Sequence, residues 1–313
     1  MRIEQYRTGI ADEVAELIET SFAEYRRERP AQLLGAPAPW TTREELLQTL
    51  TSDELCAQAS HVAVEGGRVV SAALAVQGGD DCGWWRVATA PEHRRQGFAS
   101  ACMAAGESAM REAGQASAAT SLDVDSRWES AQALLVGAGY EAEDADKRNI
   151  TMVAERWEPQ PVELHEGYEL GTLREEDLPE WMAVRNTVFK GEQQVEWFEQ
   201  RFMSRADFDP TTWFVVRHEG RMIGIASAVC VEDERDPQGL RGGQIEWVGV
   251  LDDHRGKRLG EDLVVTCLNA IAERGFLPAL LLTQPFRVPA VTLYEKLGFA
   301  TISAWQRWEK PLG

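Results

Sequence analysis

Two short segments have the composition of an anion cradle. Arg94-Arg95-Gln96-Gly97-Phe98-Ala99 and Arg255-Gly256-Lys257-Arg258-Leu259-Gly260 each set basic and small residues between an apolar run and a helical pattern. The first N–H groups of a helix are unpaired and lie at the positive end of its dipole. Small residues let an anion approach them, and the cationic side chains add charge, so the arrangement suits a pyrophosphate. One such segment alone is as well explained by a capping turn with solvated arginines. Its recurrence in register with other landmarks favours the cradle.

Those landmarks define a repeat. Residues 61–76 and 213–228 each read as strand, glycine turn and strand, which makes a hairpin. Gly67 matches Gly220 at an offset of 153, Arg94 matches Arg255 at 161, and Gly139-Tyr140 matches Gly298-Phe299 at 159. The same order with slowly drifting offsets indicates two copies of one domain. The excess in the second copy falls in Glu232–Gly243, a charged, glycine-containing stretch expected as a surface loop. The join is expected at Glu158-Pro159-Gln160-Pro161, because proline sustains neither a helix nor an interior strand. The 313 residues then divide into domains 1–157 and 165–313, each long enough for one core.

The elements around each cradle follow from periodicity. Val14, Leu17 and Ile18 in the first copy, and Trp181, Val184, Arg185 and Val188 in the second, have helical spacing. After each hairpin comes a strand, Trp84–Thr89 and Ile245–Val250, and then the cradle. The helix behind it is one-sided: Ala99, Cys102, Met103, Gly106 and Met110 in copy one, Leu263, Val264, Cys267, Ala270 and Ile271 in copy two. In copy two a buried-type strand (Ala279–Leu282), a helix across Ala290–Leu297 and a strand after Gly298-Phe299 complete the unit. The expected class is α/β (α+β), a mixed sheet with helices on both faces.

Composition narrows the function. Hydrophobic residues at 44% and charged residues at 27% are ordinary for a globular chain. No run approaches ~20 apolar residues, so no membrane span is expected, and the first residues lack the apolar core of a secretory signal. The formal charge of −19 argues against a nucleic-acid surface. It suits a well-hydrated surface, or one that attracts cationic substrates. The five cysteines (Cys56, Cys82, Cys102, Cys230, Cys267) include no C-x-x-C spacing, so neither a disulfide framework nor a metal site is expected. Cys102 and Cys267 fall on apolar helix faces and read as core. A reducing, cytoplasmic compartment follows.

The segment Phe286-Arg287-Val288-Pro289-Ala290-Val291-Thr292-Leu293-Tyr294-Glu295-Lys296-Leu297-Gly298-Phe299 resembles the last motif of the GNAT superfamily of N-acetyltransferases, a helix with A-x-x-L-Y followed by x-x-x-G-F. With the two cradles, the resemblance covers nearly the whole chain as tandem copies. The layout is similar to that of mycothiol synthases and other two-copy GNAT enzymes.

The resemblance implies acetyl-CoA as donor, no metal, and a V-shaped opening between two parallel strands, here Ile245–Val250 and Ala279–Leu282. It implies that Val248, Gly249 and Val250 face pantetheine and that Arg255–Gly260 (Arg255, Gly256, Lys257, Arg258, Leu259, Gly260) hold the pyrophosphate. Arg287 stands where many members carry a cofactor-facing asparagine. In copy one the matching set is Val87, Ala88, Thr89, Arg94, Arg95, Gln96, Gly97, Phe98 and Ala99. The family's tyrosine maps to Tyr294, which protonates the departing thiolate. In copy one that position is Leu135, which donates no proton, so copy one reads as degenerate and copy two as catalytic. Arg258 replaces the family's central glycine at a position expected to be already helical, where a Cβ is tolerated.

An attacking amine must first lose a proton, and Glu246, expected to alternate with Val248 and Val250 along its strand, is the candidate base; a strand-edge salt bridge explains it equally. Trp181, Phe189, Trp197 and Phe198 among Glu192 and Glu196 form an acceptor lip by family analogy, or else core and solvated face. The leading expectation is an acetyl-CoA-dependent N-acetyltransferase for a small-molecule or peptide amine, working as a monomer or homodimer. The alternatives are a non-catalytic acetyl-CoA sensor and a dimerisation scaffold. The acceptor, and acyl groups longer than acetyl, stay open.

Overall fold

The expected hairpins, cradles and helices appear in chain order in a computed structural model, which describes residues 2–28, 43–78, 81–120, 124–204, 208–233 and 240–313. The first half runs β1 (Arg2–Gln5), α1 (Ala11–Glu28), α2 (Arg43–Thr51), β2 (His61–Glu65), β3 (Arg68–Gly78), β4 (Asp81–Thr89), α3 (Phe98–Glu112), β5 (Ser117–Thr120), β6 (Val124–Asp125), α4 (Glu129–Gly137), β7 (Glu141–Ala142) and β8 (Asn149–Ala154). The second runs β9 (Tyr168–Thr172), α5 (Leu178–Phe189), α6 (Val195–Phe198), β10 (Trp213–His218), β11 (Arg221–Asp233), β12 (Leu240–Val250), α7 (Leu259–Glu273), β13 (Ala279–Thr283), α8 (Val288–Lys296), β14 (Ala300–Gln306) and β15 (Trp308–Pro311). Residues 155–167 between them contain neither helix nor strand.

Two mixed sheets result, ordered β1-β2-β3-β4-β5-β15-β7 and β6-β14-β8-β13-β12-β11-β10-β9. Each is antiparallel except at one central pair, β4/β5 and β12/β13. The order shows that the halves exchange strands. β15 pairs with β5 and β7 in the first sheet, and β8 lies between β13 and β14 in the second. Side chains anchor the exchange. Lys310 of β15 pairs with the buried Glu107 of α3, and the Trp305 indole N–H donates to Thr151 Oγ1 at 3.0 Å.

Each sheet is covered on both faces because its strands are apolar on both. In the first half, Val14, Leu17, Ile18, Leu46 and Leu50 of α1 and α2 pack on one face. Phe98, Cys102, Met103 and Met110 of α3 pack on the other. In the second half, α5 and α6 carry Trp181, Val184 and Phe198 to one face, and α7 carries Leu263, Val264, Cys267 and Ile271 to the other. Each large apolar side chain so buried contributes ~1.5–3 kcal/mol. Cys102 and Cys267 are buried core residues whose thiols burial pushes up, Cys102 to about 12. Among the described residues no helix is long and apolar enough to cross a membrane.

Two sequence expectations are corrected here. Glu232–Gly243 was expected as a surface loop, but Glu232 and Asp233 end β11 and residues 240–243 begin β12, with Asp233 opposite Leu240. Only 234–239 of that stretch fall outside the described residues. Cys56 and Cys82 form a disulfide across 26 residues. The fold brings them together because Cys82 begins β4 beside β3, and the Cys56 N–H donates to the carbonyl of Ala75 in β3.

Candidate active site

In both halves the central parallel strands pair briefly and then part. Among the described residues β4 and β5 are in register only at Gly83–Ala119 and Trp84–Thr120, and β12 and β13 only from Gly243–Ala279 to Ile245–Leu281. Just beyond, each strand bulges. The β3/β4 register shifts between Leu74 (opposite Arg86) and Ala75 (opposite Trp84). The β11/β12 register shifts between Ile225 (opposite Gly249) and Ser227 (opposite Glu246), with Trp247 at φ 57°. Where strands part, backbone groups are left to bond a ligand.

The cradles lie at the next turn. Arg94 Nε donates to the Thr89 carbonyl at 3.5 Å, and its Nη2 to the Ser21 carbonyl of α1 at 3.0 Å. Arg255 repeats the first contact, Nε to the Val250 carbonyl at 3.3 Å, and pairs with Asp252 at 2.8 Å. Gln96 and Lys257 reach back to the carbonyls of Glu92 and Asp253. Gly97 caps α3 at φ 85°, a left-handed conformation that glycine adopts without strain.

Arg258 caps α7 in that same conformation, at φ 60°. The expectation that Arg258 is already helical is therefore corrected: it is the structural counterpart of Gly97, and holding an L residue there costs ~1–2 kcal/mol. Its guanidinium donates to Glu261 at 2.9 Å, and Lys296 meets the same carboxylate at 2.8 Å. Lys296, then Arg258, hold the Glu261 carboxyl below its ordinary value against the opposing effect of burial. The first turn of α7 thus carries Glu261 and Asp262, whereas that of α3 carries no acidic residue. A phosphate entering the second cradle competes with Glu261; one entering the first does not.

The first cleft is open. A cavity of about 820 Å³ is lined by Arg94, Arg95, Gly97, Ala99, Val87, Leu135, Ser21 and Arg86, with Trp305 from the other half in its wall. Its size and its cradle fit a nucleotide-bearing thioester. Ser21 and Arg86 were not singled out in the sequence; an arginine between Trp84 and Val87 in an apolar strand was the available signal.

Copy two holds the side chains that the sequence singled out as candidates for the chemistry. Tyr294 on α8 is 7% exposed, its ring is 5.9 Å from that of Phe299, and burial pushes its hydroxyl up to about 12. Leu135, at the matching place in copy one, is 5% exposed. Arg287 caps α8, donates from Nε to Gln284 Oε1 at 3.1 Å and lies over the Phe286 ring. Glu246 is half-buried and accepts from Gln244 Nε2 at 2.7 Å. The bulge corrects its expected alternation with Val248: Ile245, Val248 and Val250 join the core under α7, whereas Trp247 joins the cluster under α5. A Cβ on Gly249 would lie 2.7 Å from Val188 Cγ1, so α5 rests directly on this strand.

Of the two readings of the aromatic segment, core and solvated face describes most of it. Trp181 and Phe198 are fully buried, with ring centroids 4.8 Å apart, and both touch Trp213. They belong to the core. Phe189 and Trp197 are half-buried and flank Trp247 at 5.5 and 5.7 Å, with the Arg185 guanidinium 5.0 Å from Trp197. Glu192 and Glu196 are exposed.

Residues 16–140 and 172–299 each match the model of the acetyltransferase (GNAT) family. The chain belongs to that family. It is similar to mycothiol acetyltransferase of Streptomyces bingchenggensis, 31% identical over 149 residues, 46% of each chain. It is also similar to mycothiol acetyltransferase of Saccharomonospora viridis, 28% identical over 227 residues, 68% of this chain and 69% of that one. The chain thus spans about half the length of several curated relatives it matches. A GCN5-related N-acetyltransferase from Sphaerobacter thermophilus shares the fold with a TM-score of 0.67 and 18% identity, over 99% of this chain and 95% of that one. A tandem GNAT protein from the clavulanic acid biosynthesis pathway shares it with a TM-score of 0.66 and 16% identity, over 100% and 99%.

Proposed function

We propose that the protein transfers the acetyl group of acetyl-CoA to an amine, with the chemistry in the C-terminal copy. The observation that carries this reading is the buried Tyr294 phenol on α8, at the place where the N-terminal copy has Leu135. Val248, Gly249 and Val250 offer backbone groups along the parted strand, and the cradle at Arg255–Gly260 takes the pyrophosphate. An alkyl ammonium with a pKa of ~10.4 costs ~4–5 kcal/mol to deprotonate at pH 7. Glu246, beside the bulge, accepts that proton directly or through a water.

The role of Tyr294 follows from its pKa. The thiol of CoA ionises near ~8.5 by analogy with cysteine. A phenol pushed up to about 12 is the weaker acid. Burial thus opposes loss of the Tyr294 proton. Tyr294 stays neutral and donates a hydrogen bond to the sulfur as charge develops. The relatives named mycothiol acetyltransferases support an acetyl acceptor, which we take to be an amine. The test is a panel of polyamines, aminosugars, amino acids and peptide N-termini, scored by release of free CoA. If no amine releases CoA above hydrolysis, the reading fails.

A second reading has its own observation. The 820 Å³ cavity of the N-terminal copy favours retention of a CoA thioester there without transfer, because Leu135 supplies no proton donor.

A further inference from the structure

The aromatic cluster beside the β12 bulge holds a cation without an anion. Arg185 stands on α5 one turn before Val188 and Phe189, so the three share the helix face that lies on β12. Val188 is the neighbour of Gly249, and Phe189 flanks Trp247, the residue that follows Glu246. The half-buried Arg185 guanidinium lies 5.0 Å from the Trp197 ring centroid and 5.2 Å from that of Trp247. Its Nη1 donates to Asn186 Oδ1 at 2.9 Å. Among the described residues it has no ion pair, and its Nε is buried without a partner. Burial lowers its pKa, and no carboxylate among those residues raises it again. The Trp247 indole N–H, in the same cluster, is also buried and unmatched. Buried donors normally find acceptors, so two spare ones in one cluster call for ligand oxygens.

The chain around Arg185 holds it in place. Asn186 Oδ1 also accepts from the Gln193 N–H at 3.2 Å, and Asn186 Nδ2 donates to the Gln193 carbonyl at 2.8 Å, which folds residues 190–193 back on α5. Gly191 is thereby set against the guanidinium: a Cβ there would lie 2.0 Å from Arg185 Nη1. Contact with the two rings favours the cation but leaves its Nε unmatched. A guanidinium presents paired N–H donors that fit the two oxygens of a carboxylate, and it repels an ammonium. Arg201, 5.8 Å from the Trp197 centroid, adds a second cation, but an exposed one.

We infer that Arg185 selects the acceptor of the C-terminal copy: the amine it takes carries a carboxylate, bound by the Arg185 guanidinium beside Trp247, with its amino group toward Glu246. This rests on the reading of the C-terminal copy as the one that transfers acetyl to an amine. It narrows the acceptor from amines in general to amino acids and short peptides, and it sets polyamines aside.

Steady-state CoA release by the full chain compares glycine, β-alanine, γ-aminobutyrate and glycylglycine, each with its own carboxamide, at saturating acetyl-CoA. For at least one of the four, kcat/KM should be about tenfold or more higher for the acid than for the amide. In Arg185→Gln that ratio should fall about fivefold or more, chiefly through KM for the acid, with KM for acetyl-CoA within about twofold. The ratio is the readout because each amine keeps its own pKa with both proteins. Should Arg185→Gln fail to fold, judged by its melting curve, Gly191→Ala serves instead: its methyl pushes the guanidinium aside without removing the charge and should reduce the ratio about threefold or more. Arg201→Gln removes an exposed charge and should leave the ratio within about twofold. A wild-type ratio near one for all four pairs, or a ratio that Arg185→Gln or Gly191→Ala leaves unchanged, overturns the inference. So does an equal loss in Arg201→Gln, which would mean diffuse charge rather than a fork at Arg185. If polyamines or aminosugars release CoA and none of the acids does, the transferase reading stands and the inference alone falls. If no amine of any kind releases CoA above hydrolysis, that reading falls and the inference with it.

Discussion

Replacing Tyr294 with phenylalanine removes one oxygen and keeps the ring and its 5.9 Å approach to Phe299. The lost interaction is a hydrogen bond to a sulfur that becomes anionic only as the thioester breaks. Hydrogen bonds to charged groups contribute ~1.5–3 kcal/mol, and a decade of rate is ~1.4 kcal/mol, so kcat should fall ~10–150-fold. Because the bond strengthens only in the transition state, kcat and kcat/KM should fall together, with KM for acetyl-CoA nearly unchanged. The pH profile adds a second reading. A hydroxyl pushed up to about 12 keeps its proton from pH 6 to ~10, so wild type and Tyr294→Phe should give profiles of the same shape at different heights. Leu135→Ala is the control: it should cost ~2–5 kcal/mol of stability and leave transfer intact. Steady-state CoA release across pH measures all three proteins. A kcat for Tyr294→Phe within threefold of wild type refutes the assignment. A basic limb present in wild type and absent from the variant refutes the argument from burial.

Three further outcomes follow from the geometry. Gly97→Asp puts a charge at the cap of α3 and an L residue at φ 85°, so it should remove much of the thermal stabilisation by acetyl-CoA, worth ~2.7 kcal/mol at a hundredfold excess over Kd, if the N-terminal cleft is the tighter site. Gly260→Asp removes it instead if the C-terminal one is, and differential scanning fluorimetry decides. Glu261→Gln frees Arg258 and Lys296 for phosphate and should tighten acetyl-CoA binding at the second cradle about fivefold by calorimetry; weaker binding would show that Glu261 positions those cations rather than competing for them. Breaking Cys56–Cys82 by reductant or Cys56→Ser releases a loop of 26 residues, for which chain entropy gives ~3.5 kcal/mol and a Tm lower by ~7–14 °C. An unchanged Tm would mean that the bridge is not formed in solution.

The features legible in the sequence were local ones. The hairpins, the strand before each cradle, the apolar stripe of α7 and the tyrosine helix all follow from spacing within a dozen residues. The features missed depend on partners far apart in the chain. Cys56 and Cys82 lack any motif spacing, and only the β3–β4 register brings them together. The left-handed Arg258 was misread because a cradle with a glycine elsewhere, at Gly256 and Gly260, disguises which residue caps the helix. Trp181 and Phe198 read as core or, by family analogy, as lip, since aromatic residues at helical spacing do not reveal which face is covered. The bulge at Trp247, which breaks the alternation from Glu246 to Val248, leaves no mark on the hydrophobic pattern.

The exchange of β8 and β15 sets an order of events for a chain made from its N-terminus. When the first 157 residues have emerged, their sheet has a vacancy between β5 and β7, exposing the Thr120 hydroxyl that later accepts from the Trp308 N–H across 188 residues and the Glu107 carboxylate that later meets Lys310. Meanwhile β8 waits with apolar side chains on both sides for β13 and β14 to be synthesised. The second sheet closes only when β14 (Ala300–Gln306) arrives and the first only when β15 (Trp308–Pro311) follows, so a nascent chain stalled in the second copy carries two open strand edges rather than one finished domain. Such edges invite pairing with other chains. The two copies therefore mature as one unit, and an isolated half presents an incomplete sheet.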